Sequence, residues 1–165
     1  MKTFNIEIPV REYDDITELT QEDQQLMIDA EKALKGSYAP YSKYHVGAAV
    51  LLENGEIFLG SNQENVAYPS GLCAERVALF AAAAKYPQEA VKAIAITAKA
   101  ENFVIESPIT PCGACRQVMA ESEHRHKTPI RVIMGGTTGR IFEIEKIADI
   151  LPLMFEAENL KAENQ

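Results

Sequence analysis

Gly71-Leu72-Cys73-Ala74-Glu75-Arg76 and Pro111-Cys112-Gly113-Ala114-Cys115-Arg116 contain all three cysteines of this 165-residue chain. Both stretches lead into runs typical of helices, which predicts thiols at helix N-termini, where the helix dipole favours the thiolate. Because Cys112 and Cys115 lie three positions apart, they share one face of a helical turn. Three thiolates leave one position of tetrahedral zinc open for water. Our central hypothesis is therefore a zinc-hydrolytic site in which Glu75, two positions after Cys73, acts as the proton shuttle.

The residues alone leave other interpretations of the cysteines open. A Cys-x-x-Cys pair is also typical of redox proteins, and a buried thiol can be inert. Redox chemistry does not need a carboxylate two positions after Cys73, however. A structural zinc site would need a fourth ligand, for which the chain offers His45, His124 and His126. The last two lie in a charged stretch, and we interpret all three as surface or packing residues.

Composition limits the possible partners. The length is most simply that of one domain with its own core. A formal net charge of −8 gives no general attraction to phosphate backbones, so we expect a small nucleoside-like ligand and no nucleic acid. The segment from Met1 to Asp15 lacks a basic region followed by an apolar one, and the apolar run from Val77 to Ala84 is too short to cross a bilayer. Cysteines in this pattern favour a reducing compartment, so we expect a cytoplasmic protein with no membrane partner.

Hydrophobic periodicity and capping signals predict alternating helices and strands. Thr20 is the expected N-cap of the first helix, and Asn54-Gly55 between apolar runs predicts a type I′ hairpin. The expected helices span residues 21–35, 72–86, 112–122 and 144–151, and the expected strands span residues 44–52, 56–60, 91–98, 130–134 and 140–144. This order predicts one sheet with helices on both faces. We place the domain at residues 20–155, between an N-terminal arm (1–19) and a solvated tail (156–165).

The chain also resembles a known family. Cys-Ala-Glu at 73–75 followed by Pro-Cys-Gly-Ala-Cys at 111–115 is similar to the signature of zinc-dependent cytidine deaminases, in the variant whose metal ligands are all cysteines. Residues 40–49 resemble the entry into the family's first strand, and Asn-Gln-Glu-Asn at 62–65 resembles its substrate-binding Asn-x-Glu-Asn. Leu-Pro at 151–152 with Phe155 resembles its C-terminal end, so the similarity covers most of the chain.

This resemblance implies a three-layer α/β/α sandwich with a five-stranded mixed sheet, assembled as a homotetramer with one zinc ion per subunit. It implies hydrolytic deamination of cytidine and deoxycytidine to uridine and deoxyuridine plus ammonia, in pyrimidine salvage. Cys73, Cys112 and Cys115 are the implied zinc ligands. Glu75 is the implied proton shuttle between the activated water, N3 of cytosine and the leaving amino group.

The resemblance also assigns roles around the metal. Asn62 and Glu64, with Gln63 between them, match the pair that binds the ribose hydroxyls. Three thiolates leave a zinc site with a net negative charge, which weakens its effect on water. Arg76 matches an arginine that hydrogen-bonds the sulfurs and offsets part of that charge.

The remaining substrate contacts implied by the resemblance involve the base and a neighbouring subunit. The backbone of Ala74 is expected to recognise the pyrimidine. Tyr44 stands where the family usually has Phe and is expected to pack against the base. Tyr68 and Phe155 match residues that reach a neighbouring subunit's pocket in tetrameric members.

Two rival functions remain at this point. A deaminase of a modified cytosine nucleoside, such as blasticidin S, would have the same metal site, although Asn62 and Glu64 favour an unmodified ribose. A non-catalytic zinc-binding protein would keep the fold without activity, and the presence of Glu75 argues against it.

Overall fold

The structure is a computed structural model that describes residues 1–136 and 139–155. Its strands are β1 Arg11–Tyr13, β2 Tyr44–Leu52, β3 Ile57–Ser61, β4 Val91–Ala100, β5 Arg131–Met134 and β6 Ile141–Ile144. Its helices are α1 Gln21–Ala33, α2 Ala74–Lys85, α3 Gly113–His126 and α4 Ile147–Ile150. The strands form one sheet in the order β1-β6-β5-β4-β2-β3. Within the described residues β4 and β5 pair in parallel and the other neighbours are antiparallel.

Helices cover both faces of this sheet, which confirms the predicted three-layer α/β/α sandwich. On one face, α1 buries Leu26, Met27 and Ala30 against inward-facing residues of the central strands. On the other face, α2 and α3 bury Ala78, Leu79, Ala82, Met119 and Ala120 against the alternate residues of the same strands. The sheet is therefore buried on both sides, as its apolar central strands require.

The helix and hairpin signals in the sequence are confirmed. Thr20 caps α1, because its hydroxyl oxygen accepts a hydrogen bond from the backbone N–H of Asp23 at 3.2 Å. Gly55 turns the chain between β2 and β3 with a φ of 85°. Asn54 has no positive φ, so the type I′ turn was the wrong type. The Asn54 side chain instead accepts from the backbone N–H of Glu56 at 3.0 Å.

Gly60 on β3 lets α2 approach the sheet closely. A Cβ built at this position would overlap the carbonyl oxygen of Ala74 and crowd the backbone N–H of Ala78. The first turn of α2, which carries the sequence motif, therefore lies directly against β3. This contact fixes where the motif sits relative to the polar residues that follow β3.

The expected five-stranded sheet was wrong, because a sixth strand pairs at its edge. β1 runs antiparallel to β6, with Arg11 opposite Glu143 and Tyr13 opposite Ile141. The weak alternation at residues 4–8 is not the strand; those residues are exposed. The strand forms at Arg11–Tyr13 because both of its terminal side chains bond to Glu143 on the neighbouring strand.

The expected division into arm, domain and tail stays a prediction. The tail at residues 156–165 lies outside the described residues. Among the helices of the described residues, none combines the length and the apolar character that a membrane crossing needs.

Candidate metal centre and active site

The three cysteines converge at the N-termini of two helices. Cys73 is the N-cap of α2 and Cys112 is the N-cap of α3, with Cys115 in the first turn of α3. The Sγ atoms of Cys73 and Cys112 are 3.8 Å apart, and those of Cys112 and Cys115 are 3.5 Å apart. All three sulfurs lie within 4.8 Å of one another. The helix N-termini favour negative charge on these sulfurs.

This donor set fits zinc. Sulfurs bound tetrahedrally at about 2.3 Å from Zn²⁺ lie about 3.8 Å from one another, which matches the spacing found here. Hydrogen bonds from Cys115 and Arg76 lower the pKa of Cys73 to about 5, against the effect of burial. The hydrogen bond to Cys73, burial and the charge of Glu75 raise the pKa of Cys115. Three thiolates this close repel one another, and a divalent cation that prefers sulfur removes the conflict.

The histidines do not complete a fourth ligand position. Among the described residues, the group of side chains that converges as a metal site consists of the three cysteines. His124 and His126 lie in the last turn of α3, at the opposite end of that helix from Cys112. His45 bonds instead to Ser37 and Glu101. A closed structural zinc site made with a histidine is therefore not supported.

Arg76 lies beside the sulfurs, as expected. Its Nη2 atom donates to Cys73 Sγ at 3.6 Å. The contact with Cys73 in turn raises the pKa of Arg76. The Nε atom of Arg76 is buried and has no partner within the described residues. This guanidinium is held at the edge of the sulfur cluster and contributes positive charge there.

Glu75 is buried in the first turn of α2, with 4% of its surface exposed. Burial raises its pKa, and the negative charge of Cys73 adds to that effect. Its own backbone N–H, Cys115 and Arg76 act in the opposite direction. A carboxyl group whose proton affinity is raised in this way is suited to accept and return protons near neutral pH.

A cavity of about 580 Å³ opens beside Cys73 and Arg76. Its other walls come from the loop before β2, the segment that follows β3, and the turn before α2. It thus joins the sulfur cluster to the predicted ribose-binding residues, which are Asn62, Gln63 and Glu64. Sequence positions more than ten apart meet here because β3 and the start of α2 lie side by side.

Glu64 is oriented by backbone donors on the opposite wall of this cavity. Its Oε2 atom accepts from the N–H groups of Tyr41 at 2.9 Å and Ser42 at 3.3 Å. Hydrogen bonding to Ser42 is the largest of the effects that lower the pKa of Glu64, so the carboxylate is ionised at neutral pH.

The other predicted contacts are only partly brought together. Tyr68 lines the cavity and packs against Tyr41, with ring centroids 6.4 Å apart. Ala74 is fully buried behind the cavity wall. Tyr44 lies outside the wall and packs against Phe103 at 6.3 Å. Phe155 is 71% exposed and also lies outside the wall of its own chain's cavity.

Sequence reasoning missed two side chains next to Asn62. Ser37 Oγ lies 2.5 Å from Asn62 Oδ1, and His45 Nδ1 lies 3.0 Å from Ser37 Oγ. The sequence shows Ser37 only as a loop residue and His45 only as a surface or packing residue. No local pattern marks the contact, because Ser37 and Asn62 are 25 positions apart.

A family model for the cytidine and deoxycytidylate deaminase zinc-binding region matches residues 20–130 of the chain. A cytidine deaminase from Halalkalibacterium halodurans is 41% identical over 139 residues, which is 84% of this chain and 98% of that protein. A cytidine deaminase from Sporosarcina psychrophila is 40% identical over 83% of this chain and 93% of its own length.

Solved structures show the same similarity. A cytidine deaminase from Burkholderia pseudomallei superimposes with a TM-score of 0.68 at 38% identity, covering 83% of this chain and all of that chain. One from Mycobacterium tuberculosis gives a TM-score of 0.62 at 30% identity, covering 80% of this chain and 95% of that chain. Because the family model begins at residue 20, β1 lies outside the matched region.

Proposed function

Since the chain belongs to the cytidine deaminase family, we propose that it hydrolyses cytidine and deoxycytidine to uridine and deoxyuridine with release of ammonia. The observation that carries the proposal is the buried Glu75, which interacts with Cys73 and Cys115 in a cluster of three converging sulfurs. Cys73 of this cluster also lines the neighbouring cavity. A carboxyl group and a thiolate-held zinc site together supply what hydrolysis of an amidine needs, which is an activated water and a proton carrier.

Cys73, Cys112 and Cys115 would hold zinc, which when bound would supply a water that loses a proton near neutral pH. Glu75 accepts that proton and delivers it to N3 of cytosine while the water oxygen bonds to C4. Glu75 then carries the second proton of this oxygen to the 4-amino nitrogen. The C4–N bond breaks, ammonia leaves, and the C4 carbonyl of uridine remains. Glu75 ends as it began, because it accepts and returns two protons.

Asn62 and Glu64 bind the 3′-hydroxyl of the sugar in this proposal. Asn62 uses Oδ1 and one N–H of Nδ2 within the protein, which leaves the second N–H as a donor to the hydroxyl oxygen. Glu64 uses Oε2 for Tyr41 and Ser42, which leaves Oε1 to accept the hydroxyl proton. A sugar lacking the hydroxyl would leave both of these partners without a ligand contact, so selectivity for the hydroxyl is expected. Gln63 holds the loop, since its Nε2 donates to Gly36 O at 2.9 Å.

Arg76 offsets part of the negative charge of the three thiolates. Its contact with Cys73 Sγ draws electron density from that sulfur, so a bound zinc ion would acidify water more strongly than it would with three unscreened thiolates. The proposal also assigns recognition of the base to the backbone of Ala74, at the start of α2, although this residue is fully buried and does not line the cavity.

The exposed aromatic residues are consistent with a homotetramer, which is part of the proposal. Phe155 is 71% exposed and Tyr68 is 78% exposed. Large apolar side chains this exposed favour a partner surface. In a tetramer Phe155 of one subunit would reach the pocket of the next. Packing of Tyr44 against the base is part of the same proposal, although Tyr44 does not line the cavity. The free thiols favour a reducing compartment, so we place the enzyme in the cytoplasm, in pyrimidine salvage.

The test is the loss of cytidine absorbance with purified protein, beside a measurement of zinc content. We expect turnover of cytidine and deoxycytidine and one zinc ion per chain. Zinc without turnover of either nucleoside would contradict the proposal and favour a modified cytosine nucleoside or a non-catalytic zinc protein. A folded protein that holds no zinc and forms a Cys112–Cys115 disulfide would favour the redox alternative.

A further inference from the structure

The side-chain amide of Asn62 has a fixed orientation. Its Oδ1 atom accepts from the backbone N–H of Val46 at 2.8 Å, and its Nδ2 atom donates to the backbone carbonyl of Tyr44 at 2.8 Å. A flipped amide would set a donor against a donor and an acceptor against an acceptor. The oxygen of the amide therefore points toward Ser37, whose Oγ lies 2.5 Å away.

This orientation determines the direction of the next two hydrogen bonds. Asn62 Oδ1 has no proton to give, so the Ser37 hydroxyl must donate to it. The Ser37 oxygen is then an acceptor toward His45 Nδ1, which lies 3.0 Å from it. His45 must therefore carry a proton on Nδ1 for this contact to be a hydrogen bond.

The other nitrogen of His45 faces a carboxylate. Its Nε2 atom lies 3.2 Å from Glu101 Oε1. A neutral imidazole with its proton on Nδ1 would present a lone pair to that oxygen, which is repulsive. With a proton on both nitrogens, His45 donates to Ser37 and to Glu101 at once. The chain of hydrogen bonds from Glu101 to Asn62 is complete only with this imidazolium.

From this directed chain we infer that protonated His45 is a positioning residue for the sugar-binding Asn62, acting through Ser37, so that nucleoside affinity falls when His45 loses its proton. The inference rests on the proposed function for the role of Asn62. Neutral His45 must give up either its bond to Ser37 or its bond to Glu101. In the first case the Ser37 hydroxyl is free to turn toward His45, and Asn62 loses one of the two donors that hold its oxygen.

Charged groups of both signs surround His45. Lys35, in the helical turn after α1, and Lys99 on β4 share its pocket and oppose its protonation. Lys99 is also its cross-strand neighbour in the β2–β4 register. Glu101 favours protonation, and so does Glu64, because the two charges interact. Histidine is the side chain whose charge ordinarily changes between about pH 5 and pH 8.

The kinetic test uses variants that separate the position of the hydrogen-bond donor at residue 45 from the charge of the imidazole. In His45→Ala and in Ser37→Ala, we expect KM for cytidine to rise roughly fivefold with little change in kcat, the size of one lost hydrogen bond. The double variant should be no worse than either single one, because both remove the same chain. His45→Asn places an amide N–H near the position of Nδ1 without a titrating group. It should restore a low KM, with no pH dependence from this position.

The pH dependence of KM is a second measurement, and a merely structural role of His45 would not change it. In the parent, KM should rise relative to that of His45→Asn as pH increases from about 5.5 to 8.5, since histidine side chains lose their proton over about this range. His124→Asn, at the far end of α3, is the matched control and should follow the parent. Equal KM values in the parent, His45→Ala and Ser37→Ala, or parallel profiles for the parent and His45→Asn, would overturn the inference.

A measurement without substrate keeps this result separate from the proposed function. Nitrogen-15 NMR of the histidine side chains reports directly which nitrogens of His45 carry protons. We expect both to be protonated at pH 6, and in Glu101→Gln we expect the Nε2 proton to lose its carboxylate acceptor. A parent that is inactive on cytidine would overturn the proposed function alone. The spectrum would still show whether His45 donates hydrogen bonds from both nitrogens. A His45 that stays neutral at pH 6 would overturn the inferred series of hydrogen bonds from Glu101 to Asn62, even in an active enzyme.

Discussion

Two glutamates are buried to almost the same extent on opposite faces of the sheet, and they differ in their partners. Glu143 on β6 is 5% exposed, and Glu75 on α2 is 4% exposed. Glu143 accepts from the Tyr13 hydroxyl at 2.6 Å, from Arg11 at 3.0 Å and from Arg131 at 3.5 Å. Glu75 takes part in none of the ion pairs within the described residues, and its near neighbours include thiols.

The surroundings of Glu143 form a closed ionic network. Arg131 on β5 also donates to both carboxylate oxygens of Asp23, at 3.0 and 2.8 Å. Asp23 is 2% exposed and accepts a further hydrogen bond from Thr20. Two arginines therefore face two buried carboxylates across β1, α1, β5 and β6. Such a network joins elements that are distant in the chain, and removal of one member leaves another charge buried and unpaired.

The partners of a buried carboxylate distinguish a structural role from a catalytic one. Where buried charges are matched, as around Glu143, their pairing holds elements together. Where a buried carboxylate lacks a matching cation and sits beside thiols, as at Glu75, its protonation is poised to change and chemistry is the better explanation. Substitutions at the two sites should therefore affect different quantities, and the following predictions test this separation.

The largest effect is expected at Glu75. Glu75→Gln should lower kcat by about 10²–10⁴-fold, the usual contribution of a proton carrier, while zinc content stays unchanged. The free energy of unfolding should not fall, because a neutral amide is easier to bury than a carboxylate. Glu143→Gln is the matched control, and it should keep kcat but unfold at lower urea concentration. The same response from both variants would contradict the assignment of a catalytic role to Glu75 and a structural role to Glu143.

Arg131 should matter for stability and not for turnover. Arg131→Met should lower the free energy of unfolding by about 3 kcal/mol, because Asp23 and Glu143 lose a shared cation. Urea denaturation at pH 7 measures this loss. Lys32→Met removes one partner of a surface pair with Asp29 and should cost less than about 0.5 kcal/mol. Equal losses in the two variants would show that the network around Glu143 is no stronger than a surface pair.

The pH dependence of the free energy of unfolding should reveal the contribution of the ion pair between Asp23 and Arg131. Burial acts to raise the pKa of Asp23, but hydrogen bonds from Arg131 and Thr20 outweigh it and lower the pKa below its ordinary value of 3.8. A lowered pKa means that the folded state favours the ionised form. The resulting stability is fully present above pH 3.8 and is lost as pH falls through the folded-state pKa.

Asp23→Asn should therefore be less stable than the parent by about 2 kcal/mol at pH 7, the value of hydrogen bonds to a charged group. The gap should persist down to pH 4 and narrow as the solution becomes more acidic. Urea midpoints at several pH values provide the measurement. A gap that widens in acid would mean that the sign of the Asp23 shift is wrong.

The smallest effect is expected for a substitution in β1, the sixth strand at the edge of the sheet. Tyr13→Phe removes the hydroxyl that donates to Glu143 and should cost about 1 kcal/mol, because Arg11 and Arg131 still bind that carboxylate. Activity should be unchanged. Tyr38→Phe, at a ring that is 55% exposed, serves as the control for loss of a hydroxyl. A drop in kcat for Tyr13→Phe would instead connect the edge strand to the active site.

Local signals in the sequence were enough for the elements that carry the site. Thr20 marks the start of α1, because capping depends on residues three positions apart. Cys73 and Cys112 precede apolar, helix-forming runs, and they are indeed the N-caps of α2 and α3. The motif spacing therefore predicted that Cys112 and Cys115 share one helical turn and that Glu75 lies in the first turn of α2, because helix periodicity fixes which neighbours share a turn.

Only the tertiary structure decided the contacts between distant segments. The sixth strand forms because Arg11 and Tyr13 meet Glu143, more than a hundred positions away, and no periodicity in residues 1–19 reports that partner. The bonds from His45 through Ser37 to Asn62 arise in the same way, since β2, the turn after α1 and the end of β3 meet only in the folded chain. Periodicity records which face of an element is buried. The folded chain alone determines which charged or polar group is opposite it.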